Sequence, residues 1–148
     1  MGDLPSAVLF ACTMNSVRSP MAEGIMKFLH GTRIYVDSVG VRSIDVDGYA
    51  ITVMDEIGID ISGHSAKTFS DLEDSYFDVI ISLSPEAQHR AVEMTRVMAV
   101  QIEFWNTFDP AIIDSENWES RIEAYRQVRD QLMGKIKARF PGTLAIDT

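Results

Sequence analysis

Hydrophobic positions along the chain switch between two periods, and the switches mark out its elements. Ala7 to Ala11, AVLFA, is a continuous apolar run short enough for a buried strand. Met21, Ile25, Phe28 and Leu29 then recur at helical spacing, and Gly31 can end that helix. Arg33 to Asp37 reads as a short strand, and Tyr49 to Ile57 as a helix with Ile51, Met54 and Ile57 inward. Thr68 to Ser75 is polar and acidic, enough for one or two helical turns. Val79 to Leu83 is a second apolar run, a strand covered on both faces. Ser84-Pro85 opens a helix through about Thr95, and Val97 to Phe104 gives a fourth strand. The last helix, from about Ser115 to Phe140, carries Trp118, Ile122, Tyr125, Leu132, Ile136 and Phe140 at near-helical spacing.

Strands alternating with helices predict an open, mostly parallel four-stranded α/β sheet with helices on both faces, in a single domain over residues 1–148. In such sheets ligands bind beyond the carboxyl ends of the strands. Cys12 follows the first strand, Ser38 ends the second, Ser84 follows the third and Asp109 lies beyond the fourth. All four should crowd one edge.

The loop between the first strand and helix, CTMNSVR, runs from Cys12 to Arg18. Ser19 suits the N-cap and Pro20 the first helical position. A helix start carries unpaired N–H groups and partial positive charge, so an oxyanion is favoured there. The successive N–H groups of Thr13, Met14, Asn15, Ser16 and Val17 can add a concave nest of donors. Arg18 brings a planar fork that grips two oxygens at once. The same surroundings favour a thiolate at Cys12, a nucleophile aimed at the bound anion.

Composition narrows the setting. A net charge of −9 argues against a nucleic-acid partner, whose phosphates need clustered Lys and Arg. No apolar run approaches the ~20 residues of a membrane span, and no basic-then-apolar leader opens the chain. A cytoplasmic protein with no membrane partner is expected. The single cysteine excludes an intramolecular disulfide and fits a reduced thiol. No His/Asp/Glu grouping has metal-ligand spacing, so neither metal nor other cofactor is expected. Neither His30 nor His89 has an assignable role.

The stretch CTMNSVRSPMAE resembles the signature of the low-molecular-weight protein tyrosine phosphatases, C-x-G-N-x-C-R-S-P followed by M-A-E. The likeness extends to Asp37-Ser38-Val39-Gly40, to GIDISGHSAK (Gly58 to Lys67), to FDVIISL (Phe77 to Leu83) and to Phe108-Asp109-Pro110. It implies the family's sheet order with the first strand central. It also implies Cys12 as nucleophile, Arg18 as phosphate clamp and Asp109 as general acid, then base, in a phosphocysteine route that needs no metal. Asp114 competes locally with Asp109, but its place before the long helix suits capping. The resemblance gives Ser19 a second task, a hydrogen bond to the thiolate, and makes Asn15, Ser38 and His64 braces of the loop.

Several positions depart from the family pattern. Met14 stands where glycine is usual: either the loop takes a different path, or that glycine does not serve backbone geometry. Val17 replaces a second loop cysteine, leaving Cys12 without a neighbouring thiol. Ala111 stands where many members carry a tyrosine wall for the substrate ring, Lys67 replaces Arg, and Ser84 replaces Asp. The leading expectation is therefore a phosphatase acting on a phosphotyrosine protein or small aryl phosphate, with inorganic phosphate as product. The alternatives are an arsenate reductase coupled to an external small thiol, and a catalytically inactive oxyanion-binding module.

Overall fold

The computed structural model describes residues 4–72 and 76–142. Four parallel strands form one sheet: β1 (Ala7–Cys12), β2 (Tyr35–Gly40), β3 (Val79–Ser82) and β4 (Gln101–Phe104), in the order β2-β1-β3-β4. Alternation along β1 explains the two-sided core. Val8, Phe10 and Cys12 point to one face, while Ala7, Leu9 and Ala11 point to the other. The first face is covered by α1 (Arg18–His30), α2 (Gly48–Asp55) and α4 (Trp118–Arg139), the second by α3 (Pro85–Met94). A strand buried on both sides has no polar face to show, which is why β1 and β3 read as unbroken apolar runs.

The helices differ from the sequence expectation mostly at their ends. Helix α2 buries Ala50, Val53 and Met54, with Ile51 and Ile57 only packed against the core. Strand β4 begins at Gln101, because Met98 and Val100 are taken up by turns and Val97 is 96% exposed. Helix α4 is capped by Asn117, which accepts from the N–H groups of Glu119 and Ser120, so Asp114 is not the cap. Trp118 lies outside the inner stripe of α4, which is formed by Ile122, Tyr125, Val128, Leu132 and Ile136. The polar 68–75 segment holds one 3-10 turn at Phe69–Asp71, and residues 73–75 lie outside the described residues.

Helices α2 and α4 are tied by charge as well as by packing. Arg126 and Arg129 both donate to the Glu56 carboxylate, and Arg129 also reaches the Val53 carbonyl at 2.8 Å. Hydrogen bonds from Arg126, then Arg129, hold the Glu56 carboxyl at about 2, below its usual 4.5. A depressed carboxylate stabilises the fold above its unfolded pKa and loses that contribution as pH falls through the folded one. Glu56→Gln should therefore lower the urea midpoint at pH 7, with the gap to the wild type narrowing below about pH 4.5. Urea titrations at several pH values check this; a gap that stays constant into acid would refute the assignment.

Candidate active site

The Cys12–Arg18 loop sits where expected, at the carboxyl end of β1 and the start of α1. The carbonyls of Cys12, Thr13, Met14 and Ser16 accept from the N–H groups of Val41, Arg42, Ile44 and Asp47, at 2.8–3.2 Å. The segment after β2 thus pulls the loop carbonyls outward. Among the described residues, the N–H groups of 13–17 have no protein acceptor, which leaves them as a nest for an anion. Gly40 permits this close approach: a Cβ there would lie 2.7 Å from the Asn15 nitrogen and 2.3 Å from the Arg42 carbonyl oxygen.

The single left-handed non-glycine residue among those described is Asn15, at φ +52°. Asparagine tolerates that region better than most residues. Met14, one position earlier, is not at positive φ, so the position it takes from glycine does not need the left-handed region. The Asn15 side chain holds the turn from four directions. Its Nδ2 donates to Ser19 Oγ (2.8 Å) and Ser38 Oγ (3.0 Å). Its Oδ1 accepts from His64 Nε2 (2.9 Å) and from the Lys67 N–H (3.0 Å). All three loop-bracing residues expected from the sequence meet here.

Ser19 is not the N-cap. Helix α1 begins at Arg18, and Val17, in the capping position, makes no side-chain cap bond. The Ser19 hydroxyl instead lies 2.9 Å from Cys12 Sγ and is fully buried. Because Asn15 donates to Ser19 Oγ, the Ser19 proton goes to an acceptor, and Cys12 Sγ at 2.9 Å is nearer than the Val39 carbonyl at 3.4 Å. The same logic runs outward. Ser38 accepts from Asn15 and donates to Glu23 Oε1 at 2.5 Å, and Lys27 neutralises Glu23 from the other side. Glu23 is a residue the sequence reading missed. Its spacing was a usable signal, since Ser19 and Glu23 stand four apart on one face of α1.

His64 is mostly buried, its side chain 8% exposed, with Nδ1 3.6 Å from Glu23 Oε1. Burial first, then the Lys67 and Lys27 charges, lower its pKa against the opposing pull of Glu23 and Asp37. The neutral ring must carry its proton on Nε2, because Asn15 Oδ1 can only accept.

Arg18 is buried and held at both ends. Nη1 donates to the Thr107 carbonyl at 3.0 Å, and Nη2 lies 3.7 Å from Asp109 Oδ2. The other Asp109 oxygen accepts from the Ala111 N–H. Thr13 Oγ1 donates to Ser84 Oγ, which also accepts from the Ala87 N–H and so caps α3. Ser16 Oγ donates to the Asp45 carbonyl. Cys12, Ser16, Arg18 and Asp109 line one pocket of about 70 Å³, with Met14, Val17, Ile44 and Ala111 as its apolar wall. Asp47 completes it, a second residue not singled out in the sequence. Its N–H fixes the Ser16 carbonyl, its Oδ1 caps α2, and its Oδ2 accepts from Tyr125. None of Tyr49, Tyr76 and Trp105 reaches this wall in place of the missing tyrosine.

The family model for low molecular weight phosphotyrosine protein phosphatases matches residues 7–141. The chain belongs to that family. Within it, the chain is 35% identical over 130 residues to the glutaredoxin arsenate reductase of Synechocystis sp., covering 88% of this chain and 92% of the relative. A solved arsenate reductase in its phosphate-binding state shares 32% identity at a TM-score of 0.71, covering 93% of this chain and 98% of that one. The low-molecular-weight tyrosine phosphatase of T. tengcongensis shares 28% identity at a TM-score of 0.72, covering 89% and 95%.

This phosphatase-family site therefore combines three things: a thiol facing a hydroxyl donor, a nest of free N–H groups, and a fixed guanidinium. Chemically that is a cradle for a tetrahedral oxyanion with sulfur at its base. Among the described residues no helix is long and apolar enough to cross a membrane.

Proposed function

We propose that this protein is an arsenate reductase that relies on an external small thiol. The observation that carries the reading is the lining of the pocket. About 70 Å³ seats one tetrahedral oxyanion group. Its wall is aliphatic, so an aryl group would find no ring to stack on. Similarity to proteins named as arsenate reductases supports the same reading.

The roles follow from the geometry. Arg18 and the N–H groups of 13–17 hold arsenate, and the Cys12 thiolate bonds to arsenic as one arsenate oxygen leaves as water. A small thiol then attacks Cys12 Sγ. The new S–S bond forms as the S–As bond breaks, and its electron pair stays on arsenic, which departs as arsenite. A second thiol reduces the mixed disulfide, freeing Cys12 and the oxidised thiol dimer. Two thiols thus supply the two electrons that take arsenic from the +5 to the +3 state. Cys12 is the chain's single cysteine, so no internal relay can replace the external thiol.

A second reading rests on Asp109. A carboxyl group in the pocket beside Arg18 suits protonation of a leaving alkoxide, as a phosphocysteine phosphatase needs. One pair of assays separates the two: arsenate-dependent oxidation of glutathione, and hydrolysis of a small aryl phosphate without added metal. Arsenate-dependent thiol oxidation is expected, with aryl phosphate turnover slower. Aryl phosphate turnover without any arsenate-dependent thiol oxidation would transfer the site to the phosphatase reading. Neither activity from folded, reduced protein would leave an oxyanion-binding module.

A further inference from the structure

The N–H groups that turn the loop carbonyls outward also set the aim of the nest. A trans peptide points its C=O and the following N–H in opposite directions. With the Ser16 carbonyl drawn out to the Asp47 N–H at 3.0 Å, the Val17 N–H therefore faces inward, toward the cradle. The N–H groups of Val41, Arg42 and Ile44 do the same for those of Thr13, Met14 and Asn15. How well the nest is aimed thus depends on how firmly the 41–47 segment is itself held.

Residues 42–45 are exposed, so the segment relies on side-chain anchors near its two ends. One is Arg42, paired with Glu86 of α3 at 3.0 Å, both side chains more than half exposed. Such a pair contributes little. The other is Asp47, whose Oδ2 accepts from the Tyr125 hydroxyl at 2.9 Å while Oδ1 caps α2. Tyr125 is 1% exposed, its ring against that of Tyr49 at 5.2 Å. Burial first, then the hydrogen bond to Asp47, raise its pKa, so the hydroxyl stays a donor throughout the neutral range.

We propose that Tyr125, a core residue of α4 outside the lining of the Cys12 pocket, is a positioning residue for oxyanion capture. Its hydroxyl fixes Asp47, Asp47 fixes the Ser16 peptide, and that peptide aims the Val17 N–H at the anion. Both the reductase and the phosphatase readings need this cradle, so the role of Tyr125 rests on what they share.

Calorimetric titration with inorganic phosphate tests it without turnover. Tyr125→Phe removes one oxygen, keeps the ring in the core, and should raise the phosphate Kd at least about threefold. Asp47→Ser still offers an N-cap oxygen to α2 but is too short to reach Tyr125. In that background, adding Tyr125→Phe should change the phosphate Kd by less than about 1.5-fold. Glu86→Gln loosens only the exposed anchor and should leave phosphate affinity within about twofold of wild type. In arsenate reduction the Tyr125→Phe deficit should fall on the arsenate KM, with the thiol KM unchanged. Unaltered phosphate affinity in Tyr125→Phe would overturn the proposal. So would an equal loss in the Asp47→Ser background, which would make the effect one of core packing. Phosphate binding that depends on Tyr125, without any arsenate reduction, would support the anchor and sink the reductase reading. A wild type that binds no phosphate would remove the cradle, and the role of Tyr125 with it.

Discussion

Cys12→Ser should abolish turnover, by at least about 10⁴-fold in kcat, while the protein still binds phosphate or arsenate. The two halves of that expectation come from different atoms. Sulfur supplies the bond to arsenic or phosphorus, and a serine hydroxyl in its place is a far weaker nucleophile near neutral pH. In the proposed cradle the anion meets the N–H groups of 13–17, which have no acceptor among the described residues, and Arg18, and none of these depends on sulfur. The cradle survives because it is braced from outside: Val41, Arg42, Ile44 and Asp47 grip the loop carbonyls, and Asn15 pins the turn. Oxyanion affinity should therefore change by less than about tenfold, read by calorimetric titration beside the activity assay. Persistent turnover would move the nucleophile elsewhere. Loss of binding as well would mean that sulfur is part of the cradle.

Most of the fold and the candidate loop were legible in the sequence, while Glu23 and Asp47, which tie that loop to its surroundings, were not, for a physical reason. Strands buried on both faces and an amphipathic helix write their periods into adjacent residues, so β1, β3 and α4 are legible. The loop is legible too, since Cys12, Asn15, Arg18 and Ser19 lie within eight positions. What the sequence does not write is contact between distant segments. Asp47 meets Tyr125 across 78 positions, and Asn15 meets the Lys67 N–H across 52. Local signals also misled. Ser19-Pro20 has the look of a cap and first turn, yet the helix already begins at Arg18 and the hydroxyl turns inward to sulfur. Asp114 reads as a cap, but Asn117 is closer to the helix and satisfies its first N–H groups. Met14 raised the question of a strained backbone, and the strained position proved to be Asn15 beside it.

Arg18→Lys should cost about 10²–10³-fold in kcat/KM, although it keeps the charge. The argument lies in how the guanidinium is held. Nη1 is bound to the Thr107 carbonyl and Nη2 faces Asp109, so the fork is fixed from behind before any anion arrives. Its remaining N–H groups can then meet two oxygens of the anion in one plane. A lysine ammonium is a single point charge on a flexible stem. It must choose between the Thr107 carbonyl, the Asp109 carboxylate and the bound oxyanion, and it cannot orient the anion's free face toward Cys12. Charge alone would preserve weak capture while geometry is lost, so the deficit should fall on kcat more than on oxyanion affinity. Steady-state kinetics beside a phosphate titration reads both. Near wild-type turnover in Arg18→Lys would show that positive charge suffices and that the fixed fork has no catalytic part.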